Sequence, residues 1–193
     1  MYHVTNVRLT AMTTVDGRVR RGTRNREAIV DALLACYEAG ALRPSVPDVA
    51  ARAGVSVRSV HNHFADVEAL RAEVAQRQWQ RYASLIVPAA TVEQLVGQRV
   101  VFYEAVTPVR RAALLSIHDS PTIARNLARL DRLLRRQLEA TFPALTGAAL
   151  DALELVTSWD AWNRLRVAQG CSVTRARRVV IDTVRKLTEE TVA

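Results

Sequence analysis

Aromatic residues make up only 5% of this 193-residue chain, which holds just two cysteines, seven glycines and six prolines. Each scarcity excludes something. Cys36 and Cys171 stand far apart and in no metal-like spacing, which argues against a disulfide framework or a zinc site and for a reducing, cytoplasmic setting. Few glycines and prolines, with 49% hydrophobic residues and Ala, Leu, Val and Arg dominant, point to an all-helical protein with a sizeable core. No apolar run approaches the roughly 18 residues that cross a bilayer, so no membrane partner is expected. The opening "MYHVTNVRLTAMTTVDG" lacks the apolar stretch of a secretory signal. A Gly-rich phosphate loop, metal-ligand spacing and a nucleophile–base pair are all missing, so neither a cofactor nor an enzymatic activity is expected.

Positive charge is what the chain has in excess: 27 Lys and Arg against 19 Asp and Glu, a net +8 at pH 7. Such a balance suits nucleic acid or an anionic membrane surface, but a GC-rich genome produces it too, so charge alone does not decide. The excess is concentrated early. "GRVRRGTRNRE" packs Arg18, Arg20, Arg21, Arg24 and Arg26 together without an acid. Residues 1 to 22 show no clear period and read as a basic mobile tail. Arg20, Arg21 and Arg24 belong either to an arm that lies along phosphates or to a solvated linker.

From Arg24 the pattern turns helical. Ile29, Leu33, Cys36 and Tyr37 recur at steps of three and four until Gly40. In "PSVPDVAARAG", Ser45 is a good N-cap, Asp48 sits in the capping-box position and Pro47 falls in the first turn, where a missing N–H costs little. Val46, Val49, Ala50 and Ala53 make the buried stripe, and Gly54 is placed for the left-handed conformation after the last turn. Ser56 then caps a third helix that ends near Phe64. Two short helices joined by the tight turn "AGVS" are the sequence form of a helix-turn-helix.

In such a motif the second helix enters the major groove, led by its N-terminal residues. Val60 and Phe64 face inward, which leaves Arg58, Ser59, His61, Asn62 and His63 for DNA. Arg58 can donate a bidentate pair to guanine O6 and N7. Asn62 carries the donor and acceptor that adenine requires, and Ser59, His61 and His63 can reach bases or phosphates. Helix ends at Ser45 and Ser56 offer N–H groups to phosphate oxygens. His61 and His63 do not form a metal pair, because residues two apart on a helix point in different directions.

The stretch "VPDVAARAGVSVRSVHNHFADVEAL" resembles the DNA-binding domain of the TetR family of bacterial transcriptional regulators, the likeness covering about residues 26 to 75. The resemblance implies that Ser59, His61, Asn62 and His63 occupy the DNA-contacting positions, with Val57 and Arg58 near the start of the recognition helix. Three residues depart from the family pattern. His61 stands where tyrosine is usual, Val67 where a phosphate-contacting lysine is usual, and Arg58 where a small residue is usual.

The rest of the chain reads as helices over roughly 67–87, 91–106, 108–119, 121–140, 146–169 and 173–191, about nine in all, punctuated by Pro88, Pro108, Pro121, Pro143, Gly147 and Gly170. The expected organisation is a tail over 1–22, a helix-turn-helix domain over 23–66 and a helical domain over 67–193. The family resemblance implies that this last region binds a ligand and forms a homodimer through its last two long helices. The apolar residues Leu153, Val156, Thr157, Ala161, Val180, Val184 and Leu187 serve either the chain's own core or a dimer interface. A palindromic operator needs two recognition helices, which favours the interface. Trp79, Tyr82, Phe102, Tyr103, Leu114 and His118 either line an effector pocket or are plain core. The expected function is a sequence-specific regulator of double-stranded DNA, a repressor released by a small-molecule effector. The alternatives are a DNA-binding protein without a ligand and, with less support, a helical enzyme.

Overall fold

The computed structural model describes residues 8–189, with side chains from Gly17 onward. It is all-α and divides into two compact units, one ending at Val74 and the other starting at Ala75. The division falls inside a helix, eight residues beyond the expected boundary at 66. Among the described residues no helix is long and apolar enough to cross a membrane.

The first unit holds α1 (Arg8–Glu38), α2 (Val46–Ala53), α3 (Val57–His63) and the first half of α4 (Val67–Tyr82). The helix expected from Arg24 begins at Arg8, so the segment read as a non-helical tail is helical over 8–22; residues 1–7 lie outside the described residues. An exposed helix needs no apolar stripe, and Arg18, Arg20, Arg21, Arg24 and Asn25 all face solvent. The stripe begins further along, where Ile29, Val30, Leu33 and Cys36 are buried against α2 and α3. Val49, Ala50, Val60, Phe64, Leu70 and Val74 complete this core.

The second unit holds the rest of α4, a 3₁₀ turn at Ala83–Leu85, and α5 (Val92–Leu114), α6 (Pro121–Thr141), α7 (Gly147–Val156), α8 (Trp159–Asn163) and α9 (Val173–Glu189). Its core is built from Leu95, Val96, Phe102, Leu138, Leu153, Trp162 and Val184, among others. Two expected helices, 91–106 and 108–119, are one. Pro108 sits inside α5, because the stripe of Phe102, Tyr103, Val106, Arg110 and Ala112 stays buried on both sides of it. Burial of that face outweighs the roughly 3 kcal/mol that an internal proline costs.

Conversely, the single helix expected over 146–169 is broken. α7 stops at Val156, Ser158 caps α8 by accepting from Ala161 N at 3.1 Å, and a π-helical turn follows at Arg164–Ala168. The cause lies on α5. Arg99 is only 4% exposed, and its Nη1 donates to Thr157 O at 2.9 Å and Thr157 Oγ1 at 2.7 Å. Its Nη2 donates to Leu134 O at 2.7 Å and its Nε to Gln137 Oε1 at 3.2 Å. Tyr103 OH adds a bond to Thr157 O at 2.8 Å. The carbonyl where α7 ends is thereby satisfied from another helix, and one guanidinium ties α5, α6 and the α7 end together. α8 hangs from α5 by further polar contacts: Trp159 Nε1 to Thr107 Oγ1 at 3.0 Å and Trp162 Nε1 to Glu104 Oε1 at 2.8 Å. Arg166, donating to Glu104, holds that carboxyl below the usual carboxylate range.

Most of the residues read as a dimer face are core instead. Leu153 and Val184 are fully buried within the chain, and Thr157 and Val180 are nearly so; Val156 and Leu187 pack against the same core, while Ala161 is half-buried. Replacing Arg99 with Leu is expected to destabilise the protein by roughly 2–4 kcal/mol, since the buried carbonyls of Leu134 and Thr157 lose a charged donor. Urea unfolding followed by circular dichroism measures it. A loss below about 0.5 kcal/mol would show that those carbonyls find other partners.

Candidate nucleic-acid interface

The candidate interface is built by short-range chemistry. Ser45 Oγ accepts from Asp48 N at 3.3 Å while Ser45 N donates to Asp48 Oδ2 at 3.0 Å, a closed capping box with Pro47 in the first turn. The Ser45 hydroxyl, and then the Ser45 N–H, hold the Asp48 carboxyl below its usual range. This box occupies both polar groups of Ser45 and sets a carboxylate at the start of α2, so that helix end is less open to phosphate than the sequence suggested. At the other end Gly54 takes φ 67° and ψ 30°, and its N–H closes onto Ala50 and Ala51. A side chain there would sit in the left-handed region. Val55 N then bonds Ala50 O at 3.0 Å, which completes the turn.

Ser56 starts α3 by accepting from Ser59 N at 3.1 Å. Val60 and Phe64 are each 3% exposed and fix the inner side of this seven-residue helix. The opposite side is open. Ser56, Val57, Arg58, His61 and Asn62 face solvent, and Ser59 and His63 are half-buried. Val57, which could have shared the inner face by spacing, is 39% exposed. The His63 ring lies beside α1, where a Cβ added to Gly22 would stand 3.9 Å from its Cε1. Arg20 and Arg21 each stand about one turn from Arg24 on α1, and all three are exposed, a basic patch on the element that passes His63. Asp66 caps α4 through Ala69 N at 2.7 Å, and the neighbouring Val67 is exposed.

One residue of the arginine run is not a free cation. Arg26 Nη1 donates to His63 O at 2.5 Å, its Nη2 and Nε donate to Glu73 at 2.5 and 3.3 Å, and its guanidinium lies 4.3 Å from the Phe64 ring centroid. It therefore fastens the end of α3 to α1 and α4. The sequence shows Arg26 only as a member of the arginine run, because its acid, Glu73, is 47 positions away. Nearby, burial pushes the Tyr37 hydroxyl pKa up, and Arg71 partly offsets this.

The candidate effector residues in the second unit do not all converge. Tyr82 meets Phe102 edge-on with centroids 6.1 Å apart, and Phe102 lies 5.7 Å from Tyr103. Trp79 is instead covered by Arg129 at 4.6 Å. Leu114, the last residue of α5, and His118, in the turn beyond it, both face solvent. The small cavity beside Tyr103 is lined by Arg99, Thr157, Ser158, Trp162 and Val180 as well, and its volume of about 10 Å³ suits one water. Arg99, Ser158 and Trp162 escaped sequence reading because only the fold brings them to one place.

Arg26→Leu should keep the hydrophobic cover of Phe64 but leave His63 O and Glu73 without their donor. Arg26 is 40% exposed, so the ion pair itself is discounted and the expected loss is about 1–2 kcal/mol. Hydrogen exchange should show faster opening at the amides of α3 than at those of α2. Equal acceleration in both helices would mean that Arg26 supports the unit as a whole and not the end of α3.

No protein-family model matches the chain, and no curated protein matches it. Among solved structures, the chain is similar to one assigned to the TetR family of transcriptional regulators from Mesorhizobium loti MAFF303099. The two share 19% identity with a TM-score of 0.63, over 86% of this chain and 96% of that one. This likeness bears out the all-α arrangement and the resemblance read from residues 26 to 75. The chain has the fold of a TetR-family regulator.

Proposed function

We propose that this protein is a DNA-binding transcriptional regulator that acts as a homodimer, with α3 as the recognition helix. The observation that carries the reading is the solvent-facing side of α3. Arg58, His61 and Asn62 are exposed there, on a helix capped by Ser56 and seated by Val60 and Phe64. Exposed donors and acceptors on a rigid helix are what base-edge readout needs. The arginines of α1 supply the sequence-independent part, with Arg20, Arg21 and Arg24 set to contact phosphates.

In this reading the protein is a repressor released by a small effector bound in the second unit. Since α4 belongs to both units, it is the covalent route from an effector to the DNA-binding helices. The effector can shift DNA affinity only by the difference in its own affinity for the two states, and about 1–3 kcal/mol already gives roughly 5–150-fold. One observation favours a second reading, a regulator without a ligand: the cavity beside Tyr103 holds little more than a water. The two readings separate by whether any small molecule that binds also changes DNA affinity.

Arg58→Ala and Asn62→Ala should each cost roughly 1–3 kcal/mol on a duplex the protein selects from random sequence, and should relax its base preference. Replacing Arg20, Arg21 and Arg24 together with Ser should weaken all duplexes alike and flatten the salt dependence of binding. Fluorescence anisotropy on selected and scrambled duplexes at several salt concentrations separates the two. If Arg58 and Asn62 variants lose equally on both duplexes, those residues touch only backbone.

The inner stripes of α7 and α9 are consumed by the chain's own core, which leaves their outer sides for a dimer face. Leu155 on α7 is 69% exposed and Val179 on α9 is 41% exposed, and the two helices pack together. A two-fold pairing of this outer face would bury Leu155 against its own copy or a neighbour. Leu155→Asp should shift the protein to monomer in sedimentation equilibrium while leaving its helix content intact. A dimer that survives this change at unaltered affinity would place the interface elsewhere.

A further inference from the structure

Two guanidiniums are buried on the same stripe of α5, about three turns apart, and they differ in what holds them. Arg99 has acceptors for its Nε and both Nη atoms, all of them neutral. Arg110 is 9% exposed, yet its Nε and Nη1 are buried without a hydrogen-bond partner. Its Nη2 reaches Asp131 Oδ1 only at 3.5 Å, and that carboxylate is 54% exposed. The guanidinium carbon lies 5.0 Å from the Trp159 ring centroid. Arg110 therefore has one half-solvated anion at the edge of bonding distance and two buried nitrogens with no acceptor. Buried charges persist when they are paired and hydrogen-bonded, and a fold that needed only packing at position 110 would be served by an apolar side chain.

We propose that Arg110 is the anion-binding group of an effector site in the second unit, and that the effector is a small organic acid. The inference rests on the ligand-responsive reading above and names the chemical class of that ligand. Its carboxylate accepts from the buried N–H groups of Arg110 that nothing else uses. A singly charged carboxylate supplies acceptors for both of those nitrogens. A doubly charged phosphate would set a second negative charge against the Asp131 carboxylate. The apolar part of the acid lies against the indole of Trp159, which stacks on Arg110. Room for it comes from α8. That five-residue helix is bounded by the Thr157–Ser158 break and the π-helical turn, and it is held to α5 by side-chain bonds that Trp159 and Trp162 donate and Asn163 accepts. Exchanging those few contacts for the ligand moves α8 without unfolding a long helix. Tyr103 lies between the two arginines on the stripe, and both of them oppose the upward push that burial gives its hydroxyl pKa.

The test uses the full-length chain, with butyrate, octanoate and benzoate as acids, benzamide as a neutral counterpart, and inorganic phosphate. Binding is read by tryptophan fluorescence and thermal shift for the wild type, Arg110→Met and Arg110→Lys. At least one of the three acids should bind saturably, with benzamide and phosphate at least tenfold weaker. Arg110→Met should weaken that acid at least tenfold, Arg110→Lys less so. Without ligand, Arg110→Met should melt at or above the wild-type temperature, because an unsatisfied buried cation has been removed. The proposal is overturned if none of the acids binds, if Arg110→Met binds them as the wild type does, if phosphate binds as tightly, or if Arg110→Met melts several degrees lower or fails to fold. Binding to the selected duplex, measured alongside, separates this from the broader reading. Acids that bind through Arg110 but leave duplex affinity unchanged would uphold the anion site and remove effector release. No acid binding with duplex selection intact would remove the anion site and leave the DNA-binding reading standing.

Discussion

A seven-residue helix cannot hold itself together in water, since nucleation costs more than so few hydrogen bonds return. Everything at the candidate interface therefore depends on how α3 is pinned from outside. Ser56 secures its start, Val60 its middle, and Phe64 its end, the last through Arg26. Arg26 acts on three elements at once: it stands on α1, holds the carbonyl of His63 at the end of α3, and pairs with Glu73 on α4. A neutral side chain could cover Phe64. Only a planar cation with several donors can also satisfy a helix-end carbonyl and a carboxylate in the same place.

The second unit repeats the device with the opposite accounting of charge. Arg99 also ends a helix by donating to a carbonyl, that of Thr157, but the acceptors it meets among the described residues are all neutral. Its acceptors are main-chain and side-chain oxygens, which satisfy its hydrogen bonds but not its charge. Surface arginines of the unit behave differently again. Arg135 joins Asp151 and Glu154, and Arg185 joins Glu93, linking α6 to α7 and α9 to α5 where water screens the pairs. A net charge of +8 therefore says little by itself, because the same residue type serves as strut, clamp and exposed cation.

What could be read in the sequence follows the range of the forces involved. The capping box at Ser45, the left-handed turn at Gly54 and the cap at Ser56 each act over three or four residues, so their residues announce them. The inward pair Val60 and Phe64 and the outward set Arg58, His61 and Asn62 follow from helical period alone. The break after Val156 could not be seen, because the group that stabilises it is 58 positions away on Arg99. The continuity of α5 through Pro108 is of the same kind, since it depends on what buries the stripe and not on the proline. The start of α1 was missed for a different reason: a solvated helix leaves no apolar pattern to read.

The residues assigned to a dimer face show the limit of periodicity most clearly. An apolar stripe on a helix states that the face is covered, not which surface covers it. Leu153 and Val184 are completely covered by their own chain, and Val180 nearly so. The informative residue on α7 is the one that breaks the rule. Leu155 points away from the stripe and leaves 69% of its surface in water, on a helix whose inner side is already satisfied. A single exposed leucine is ordinary on a protein surface, but here its neighbour α9 exposes Val179 as well. Two adjacent helices, each apolar inward by requirement and outward without one, are better evidence of a covered surface than either inner stripe.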